Sequence, residues 1–374
     1  LSTLPALAAR LRARGIDAEL RTAWDAPFNP YDNQLRLPDE VALAADAAGD
    51  LRYPANLAET FANTPARIAH AMKQGPAWLA SIDLSGFDVL IAPGFENARA
   101  VWTNPTRRPD ARLIVPDFHL MSGVQSWHAL LARPGAPVAD GAWWPGEHVE
   151  VHALFPRHVR AYHRAGVPMR QIHWHPYPVH PGHFPAGRPV AEAAWAFTGG
   201  SHQRDWRTLA AAVRQLPAGA RPLRIHTPDP IPAPLVSDGE VRLLHFHEAL
   251  ANSRYVVLPM VPDERRPAGV SVVSLALAAG RPLVATATHG LIDHLRHGHD
   301  AILVPPEDPR ALAAAMARLD EDDELLERLA AGARRSASHR TVDAWARLLI
   351  EGAPPQAAWT MEPDGRGPWY AWPA

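Results

Sequence analysis

Two stretches of this sequence combine small residues with backbone donors in the pattern an anion requires. In the first, Gly199-Gly200-Ser201 is followed by Arg204, between an apolar strand and a helix. Glycines there let backbone N–H groups turn toward an oxyanion, and Arg204 adds a fixed charge. In the second, Ala268-Gly269-Val270-Ser271 opens a helix of small residues. The first N–H groups of a helix lack partners inside it and carry partial positive charge, so that end suits phosphate. Ser271 can add a hydroxyl. Arg265 and Arg266 precede it, but consecutive side chains point different ways, so one at most is expected to face the same ligand. The bland alternatives are an ion pair of Arg204 with Asp205 or contact with solvent, and a plain turn at Gly269.

The elements that must hold these residues are legible around them. Tyr255 to Leu258 reads as a buried strand, Pro259 to Pro267 as a Pro-broken charged loop, and Leu283 to Thr286 as a second buried strand. Gly280 stops the intervening helix at a position suited to a left-handed residue. Strand, loop, helix and strand make one βαβ unit. Upstream, Ala194 to Thr198 predicts a strand, Asp205 an N-cap for a helix to about Gln215, Leu223 to His226 a strand, Val241 to Leu244 another, and Glu248 to Asn252 a helix. Downstream, Asp308 and Pro309 predict the N-cap and first position of a helix, and Asp322 caps a helix carrying Leu325, Leu326 and Leu329. Thr341 to Glu351 is a last amphipathic helix, with Trp345, Leu348 and Leu349 inward.

The N-terminal half is less regular. Leu4 to Arg14 has helical spacing and ends at Gly15, and Asp17 to Thr22 reads as a strand. No strand and Gly-turn precede that helix, so part of a first βα unit is expected to lie before Leu1. Trp24 to Arg52 is a polar insertion, and a helix is expected within Asn56 to Lys73. Phe87 to Ala92 is a buried strand, followed by Pro93-Gly94 and a helix toward Trp102. Arg112 to Pro116 is the next strand and leads to Asp117, Phe118 and His119. A Pro/Gly loop at 132–147 carries Trp143 and Trp144, which either pack locally or form a stacking platform. After a helix at His158 to Ala165 comes QIHWHPYPVHPGHFPAGRP, whose Pro density marks an extended linker. His173, His175, His180 and His183 lie in it. Zinc uses His at helical or hairpin spacings, which these do not have, so no metal site is expected.

Composition narrows the classes. The chain has 374 residues and a formal charge of −2, with no long basic run, which argues against a large nucleic-acid footprint. That length suits two α/β domains. Cys is absent, which excludes disulfides and thiolate chemistry and fits a cytoplasmic protein. No apolar run approaches the roughly 18 residues of a membrane span, and no signal peptide is visible.

From about Val151 to Glu351 the sequence resembles the C-terminal half of retaining GT-B glycosyltransferases (group 1, family 4-like). Four passages carry the likeness in order: HVRAYHRAGVPMRQIHWHPYPVHPGHF, FTGGSHQRDWRTL, PAGVSVVSLALAAGRPLVATATHGLIDHL and AILVPPEDPRALAAAMARL. The resemblance implies an α/β fold of two Rossmann-like domains facing a cleft. Residues 1–175 would be the acceptor domain, 176–190 a linker, 191–350 the donor domain, and 351–374 an irregular Trp-containing tail. It implies transfer of a sugar from a nucleotide-diphosphate donor to an acceptor hydroxyl with retention, without metal and with no cofactor beyond the donor. Arg204, Gly199, Gly200, Ser201, Ala268, Gly269, Val270 and Ser271 would face the diphosphate, and His119, oriented by Asp117, the reacting sugar. Glu96 is an acceptor candidate, and His245 and Glu248 fall where the family's base-binding loop lies.

There is a departure. Two glutamates of many relatives, eight positions apart, fall here at Pro267 and Leu275. Leucine cannot accept a hydrogen bond from a ribose hydroxyl, so Asp263 or Glu264 would have to supply a displaced carboxylate. The expected partners are therefore a nucleotide-sugar and an unidentified acceptor. A binding protein that has lost catalysis, and a sugar-nucleotide epimerase, are the competing readings.

Overall fold

The computed structural model describes residues 3–18, 79–92, 95–117, 147–155, 158–159, 162–163, 167–179, 187–200, 203–227, 229–238, 243–262, 268–288 and 290–351. The chain divides into two compact units. One takes in helix α1 (Thr3–Arg12) and residues 177–347; the other takes in the described residues from 79 to 176 together with 348–351.

The second of these contains strand β1 (Val89–Ile91), helix α2 (Phe95–Trp102), β2 (Arg112–Asp117), β3 (Val149–Ala153) and β4 (Ile172–Trp174). They form a parallel sheet in the order β1-β2-β3-β4. Leu113, Val115 and Val149 pack with Ala98 and Val101 of α2, while Val151 and Ala153 pack with Val159, Tyr162, Ile172 and Trp174. Alternation along the strands sends Arg112, Glu150, His152 and His173 to the other face. β3 is absent from the sequence reading, although Val149, Val151 and Ala153 alternate with Glu150 and His152 as a strand with one apolar face does. His173 lies on β4, inside the ladder.

The larger unit is a three-layer α/β/α sandwich. Its strands are β5 (Ala196–Gly199), β6 (Leu223–His226), β7 (Val256–Leu258), β8 (Leu283–Thr286) and β9 (Ala301–Val304), all parallel, in the order β6-β5-β7-β8-β9. Strands β5, β7 and β8 are buried throughout, which is why they read as continuous apolar runs. Side chains alternate between two cores. Ala196, Val257 and Val284 face α3 (Trp206–Val213), α6 (Pro309–Glu321) and α7 (Asp323–Ala337). Phe197, Val256, Leu258 and Ala285 face α4 (Leu243–Ala251) and α5 (Val270–Ala278).

The caps follow the sequence closely. Asp205 accepts from the Thr208 amide, Asp308 from Arg310 and Ala311, and Asp322 from Leu325. The last helix, α8, runs Val342–Glu351, with Trp345 and Leu349 buried and Leu348 only partly so. β1, read as a buried strand, is an edge strand with Val89 exposed, and Leu243 and Leu244, read as the end of a strand, belong to α4. Phe246, Ala249 and Leu250 recur at helical spacing and bury into the core, and that periodicity outweighs the short apolar run before it.

Candidate functional site

The C-terminal sheet reverses its winding between β5 and β7: the chain leaves β5 for β6 on one side and returns to β7 on the other. In open α/β sheets the crevice beyond the strand ends at such a point is where ligands bind. Both glycine-containing segments singled out in the sequence lie at that end of the sheet.

The first follows β5. Gly199 ends the strand, and a Cβ on it would lie 2.5 Å from Phe246 Cε2 and 2.8 Å from the His226 carbonyl oxygen. Gly200 takes φ 96°, and a Cβ there would lie 2.5 Å from a guanidinium nitrogen of Arg204. The pair is therefore glycine so that the chain can turn beside Phe246 and let Arg204 fold back across it. Arg204 Nε donates to the Gly199 carbonyl at 2.9 Å, and a second guanidinium nitrogen approaches Met260 Sδ at 3.0 Å. Burial pulls the Arg204 pKa down to about 10, against the pull of Asp229, so the group remains cationic at neutral pH. Asp205 caps α3, accepting from the Thr208 amide.

The second segment is the start of α5. Gly269 is its N-cap, in the left-handed conformation at φ 89° and ψ −11°, and no side chain caps it. The first intrahelical bond runs from Val273 N to Gly269 O. The N–H groups of Val270, Ser271 and Val272 are thus left outside the helix's own ladder. A Cβ on Gly269 would lie 3.4 Å from Met260 Sδ, the atom that also meets Arg204. The guanidinium and the helix end therefore converge on one side chain. At the far end, Gly280 N reaches Leu277 O and Arg281 N reaches Ala276 O, the double closure of a Schellman motif.

Two backbone hydrogen bonds bind the loop after β5 to the loop after β7: Val261 N donates to Gln203 O and Asp205 N to Pro259 O, which makes Arg204 and Met260 an antiparallel β-bridge. Met260 N is held in turn by Thr286 Oγ1 at the end of β8. Arg204 forms one wall of an open hollow of about 650 Å³ with Asp205, Trp206, Pro230, Val261 and Glu307.

The sequence candidates fare unevenly. Gly199, Gly200, Arg204, Ala268, Gly269, Val270 and Ser271 come together at the crevice, with Ser271 exposed and Val270 buried. The amide of Gly200 does not point at a ligand: it donates to the His226 carbonyl, extending the β5–β6 ladder. The glycine pair acts by shape, and among the described residues of the two segments the donors left outside a helix ladder are those at the start of α5. Glu248 is exposed on α4. Leu275, where the resemblance places a glutamate, is partly buried against the apolar core. Glu96 is on α2 and His245 on α4. His119, Ser201, Asp263, Glu264, Arg265, Arg266, Trp143, Trp144, His180 and His183 lie outside the described residues. Met260 was not singled out in the sequence, since nothing local marks a methionine as the meeting point of two loops.

A second polar group lies in the N-terminal sheet. Glu150, His152 and His173 each offer a ligand-type atom, all within 4.8 Å of one another. Arg112 holds the Glu150 carboxylate at both oxygens, 3.0 Å each. Burial raises the Glu150 pKa, but the neighbouring His152 and His173 imidazoles and the charge of Arg112 outweigh it, leaving the carboxyl well below its ordinary range. Burial pushes the His152 imidazole down to about 4, against the pull of Glu150.

Comparisons with known proteins bear on the fold and on part of the sequence. Residues 231–322 match the family model described as "Glycosyl transferases group 1". An exopolysaccharide phosphotransferase of Streptomyces coelicolor is 37% identical over 112 residues, 29% of this chain and 12% of that protein. A D-inositol 3-phosphate glycosyltransferase of Nocardioides is 36% identical over 102 residues, 25% of this chain and 22% of that protein. The matched stretches thus span less than a quarter of either relative's own length. Among solved structures, Anabaena HepE in complex with UDP and glucose superposes with a TM-score of 0.53 at 15% identity, covering 77% of this chain and 82% of its own. Sucrose-phosphate synthase of Thermosynechococcus elongatus gives 0.53 at 17% identity, covering 76% of each chain. The chain therefore has the GT-B fold, and its residues 231–322 are similar to the group 1 glycosyl transferases.

Proposed function

We propose that this protein transfers a sugar from a nucleotide-diphosphate donor to an acceptor hydroxyl, with retention and without a catalytic metal. The observation that carries the reading is the convergence of Arg204 and the uncapped start of α5 on Met260, at the switch point of the donor-type sheet. A departing diphosphate gathers negative charge, and groups fixed in place beforehand stabilise it without reorganisation. Arg204 supplies a full charge and α5 its three leftover N–H groups, which together take the role a cation would otherwise fill. The UDP and glucose bound by HepE support a nucleoside diphosphate as the ligand class. Retention rests on the sequence resemblance, with acceptor attack guided by substrate oxygens on the same face. His119 remains the candidate for contact with the reacting sugar, and Asp263 or Glu264 for the ribose.

The test is thermal stability with UDP, GDP, ADP or TDP at millimolar concentration. A ligand at 100 times its Kd stabilises the native state by about 2.7 kcal/mol, so at least one should raise the midpoint. Arg204→Ala should abolish most of that rise, since a charge-assisted contact to phosphate is worth about 1.5–3 kcal/mol. If none of the four moves the midpoint, or if Arg204→Ala responds like the parent, the assignment fails. Product analysis with the matching sugar donor then separates transfer from epimerisation, which needs no acceptor.

A further inference from the structure

We propose that Glu150, His152 and His173 form a divalent-cation site of the zinc class, which fastens β3 to β4 in the N-terminal unit. Its position in the sheet is dictated by register. His152 and His173 are direct partners across the parallel β3–β4 pair, and Glu150 is two residues before His152 on the same face. A carboxylate and two imidazoles from neighbouring strands are thereby brought to one point by a single ladder.

The distances suit a small borderline cation. His173 Nε2 is 3.5 Å and His152 Nε2 is 3.9 Å from Glu150 Oε2, and the three donor atoms lie within 4.8 Å of one another. Tetrahedral ligands at zinc bond lengths of about 2.0–2.2 Å are themselves about 3.4 Å apart, so closure needs each donor to move by less than about 1 Å. Two imidazoles and one carboxylate are a ligand set that zinc accepts, whereas magnesium and calcium prefer all-oxygen shells.

Arg112 fits the same picture. Its Nε and a terminal nitrogen each donate at 3.0 Å to one oxygen of Glu150. A carboxylate has about four lone-pair sites, so the guanidinium fork leaves others free for a cation. Hydrogen bonding from outside the shell fixes ligand carboxylates in known metal sites, and its loss weakens metal affinity about 10–100-fold. Arg112 is therefore a positioning residue of this site. His152 is 3% exposed, and Glu150 and His173 are partly buried, which limits competition from water.

This inference is independent of the donor reading and is tested without nucleotide. The full chain is stripped with EDTA, dialysed and titrated with Zn²⁺ alone, with calorimetry for affinity and elemental analysis for content. The chain holds 20 histidines, so stoichiometry by itself does not locate a site and variants must. One tightly held zinc per chain is expected, with a raised thermal midpoint. His173→Ala and His152→Asn should each lose that zinc and its midpoint shift, and Arg112→Gln should weaken it about 10–100-fold. Midpoints of the variants in EDTA, compared with the parent in EDTA, check that they fold, and Glu150→Gln, which keeps the shape of the side chain, is a further variant. Absence of a tight zinc, or a zinc that survives both histidine substitutions, overturns the proposal and leaves the cluster as an Arg–Glu–His ion-pair network.

Discussion

Gly269→Ala is the substitution that separates the two roles given to the start of α5. The wild-type backbone sits at φ 89° and ψ −11°. An L side chain there costs about 1–2 kcal/mol from the clash of Cβ with the backbone. The new methyl would also meet Leu291 Cδ2 at 3.1 Å, Leu258 Cδ2 at 3.3 Å and Met260 Sδ at 3.4 Å. Both leucines are fully buried and cannot swing away, so overpacking adds about 1 kcal/mol. The total is about 2–3 kcal/mol. For a unit of this size that corresponds to a fall of about 5–10 °C in its thermal midpoint. Scanning calorimetry with and without UDP, or whichever of the four nucleotides raises the parent's midpoint, reads both effects in one experiment. The midpoint should fall without ligand, and the nucleotide-dependent rise should shrink, because the displaced helix end no longer aims its N–H groups at the phosphate. A fall of less than about 1 °C would refute the left-handed strain. A normal nucleotide response on top of the expected fall would refute the helix end as the anion site.

Other outcomes follow from other contacts. Gly200→Ala would press a methyl into the Arg204 guanidinium, so it should weaken nucleotide binding, though no more than Arg204→Ala does; equal binding by this variant and the parent would mean that the packing of Arg204 over Gly200 is irrelevant to the ligand. Arg254 is fully buried and donates to the carbonyls of Leu319, Ala191 and Asp320 and to the Asp323 carboxylate. Arg254→Ala should therefore cost about 3–5 kcal/mol in urea unfolding, and a loss under about 1 kcal/mol would contradict that role. His339 has its pKa lowered to about 3, by burial first and then by Arg340 and Arg296. The unfolded chain takes up this proton near pH 6.5 while the folded chain resists it, so stability is full above that pH and declines as pH falls toward 3. The decline amounts to up to about 3 kcal/mol by pH 4, and His339→Gln should flatten it when midpoints are measured across that range.

Signals confined to a few neighbouring residues were readable before the structure. Asp308 with Pro309, Asp322, and Gly280 after a run of small residues each fix a helix end through groups within a turn. Strands β5, β7 and β8 were readable because burial on both faces leaves them wholly apolar. Longer-range facts were not. The Gly200 amide is satisfied by His226, and Arg204 finds Met260 more than fifty residues away, so whether a loop donor is free depends on the assembled sheet. β3 escaped because five residues of alternation are too few to stand out next to a Pro-rich loop, and without β3 the partner of His173 could not be seen. The likeness to a known family supplied what periodicity could not, the expectation of two Rossmann-like domains.

The ladder joining Gln203–Asp205 to Pro259–Val261 has an entropic consequence. A loop left to order itself around a ligand loses about 1–2 kcal/mol of backbone freedom per residue at the moment of binding. Here that loss falls on folding, and Thr286 anchors the ladder to the next strand. Under the proposed function, phosphate binding would then draw on Arg204 and α5 with less spent on stiffening the described part of the chain that presents them.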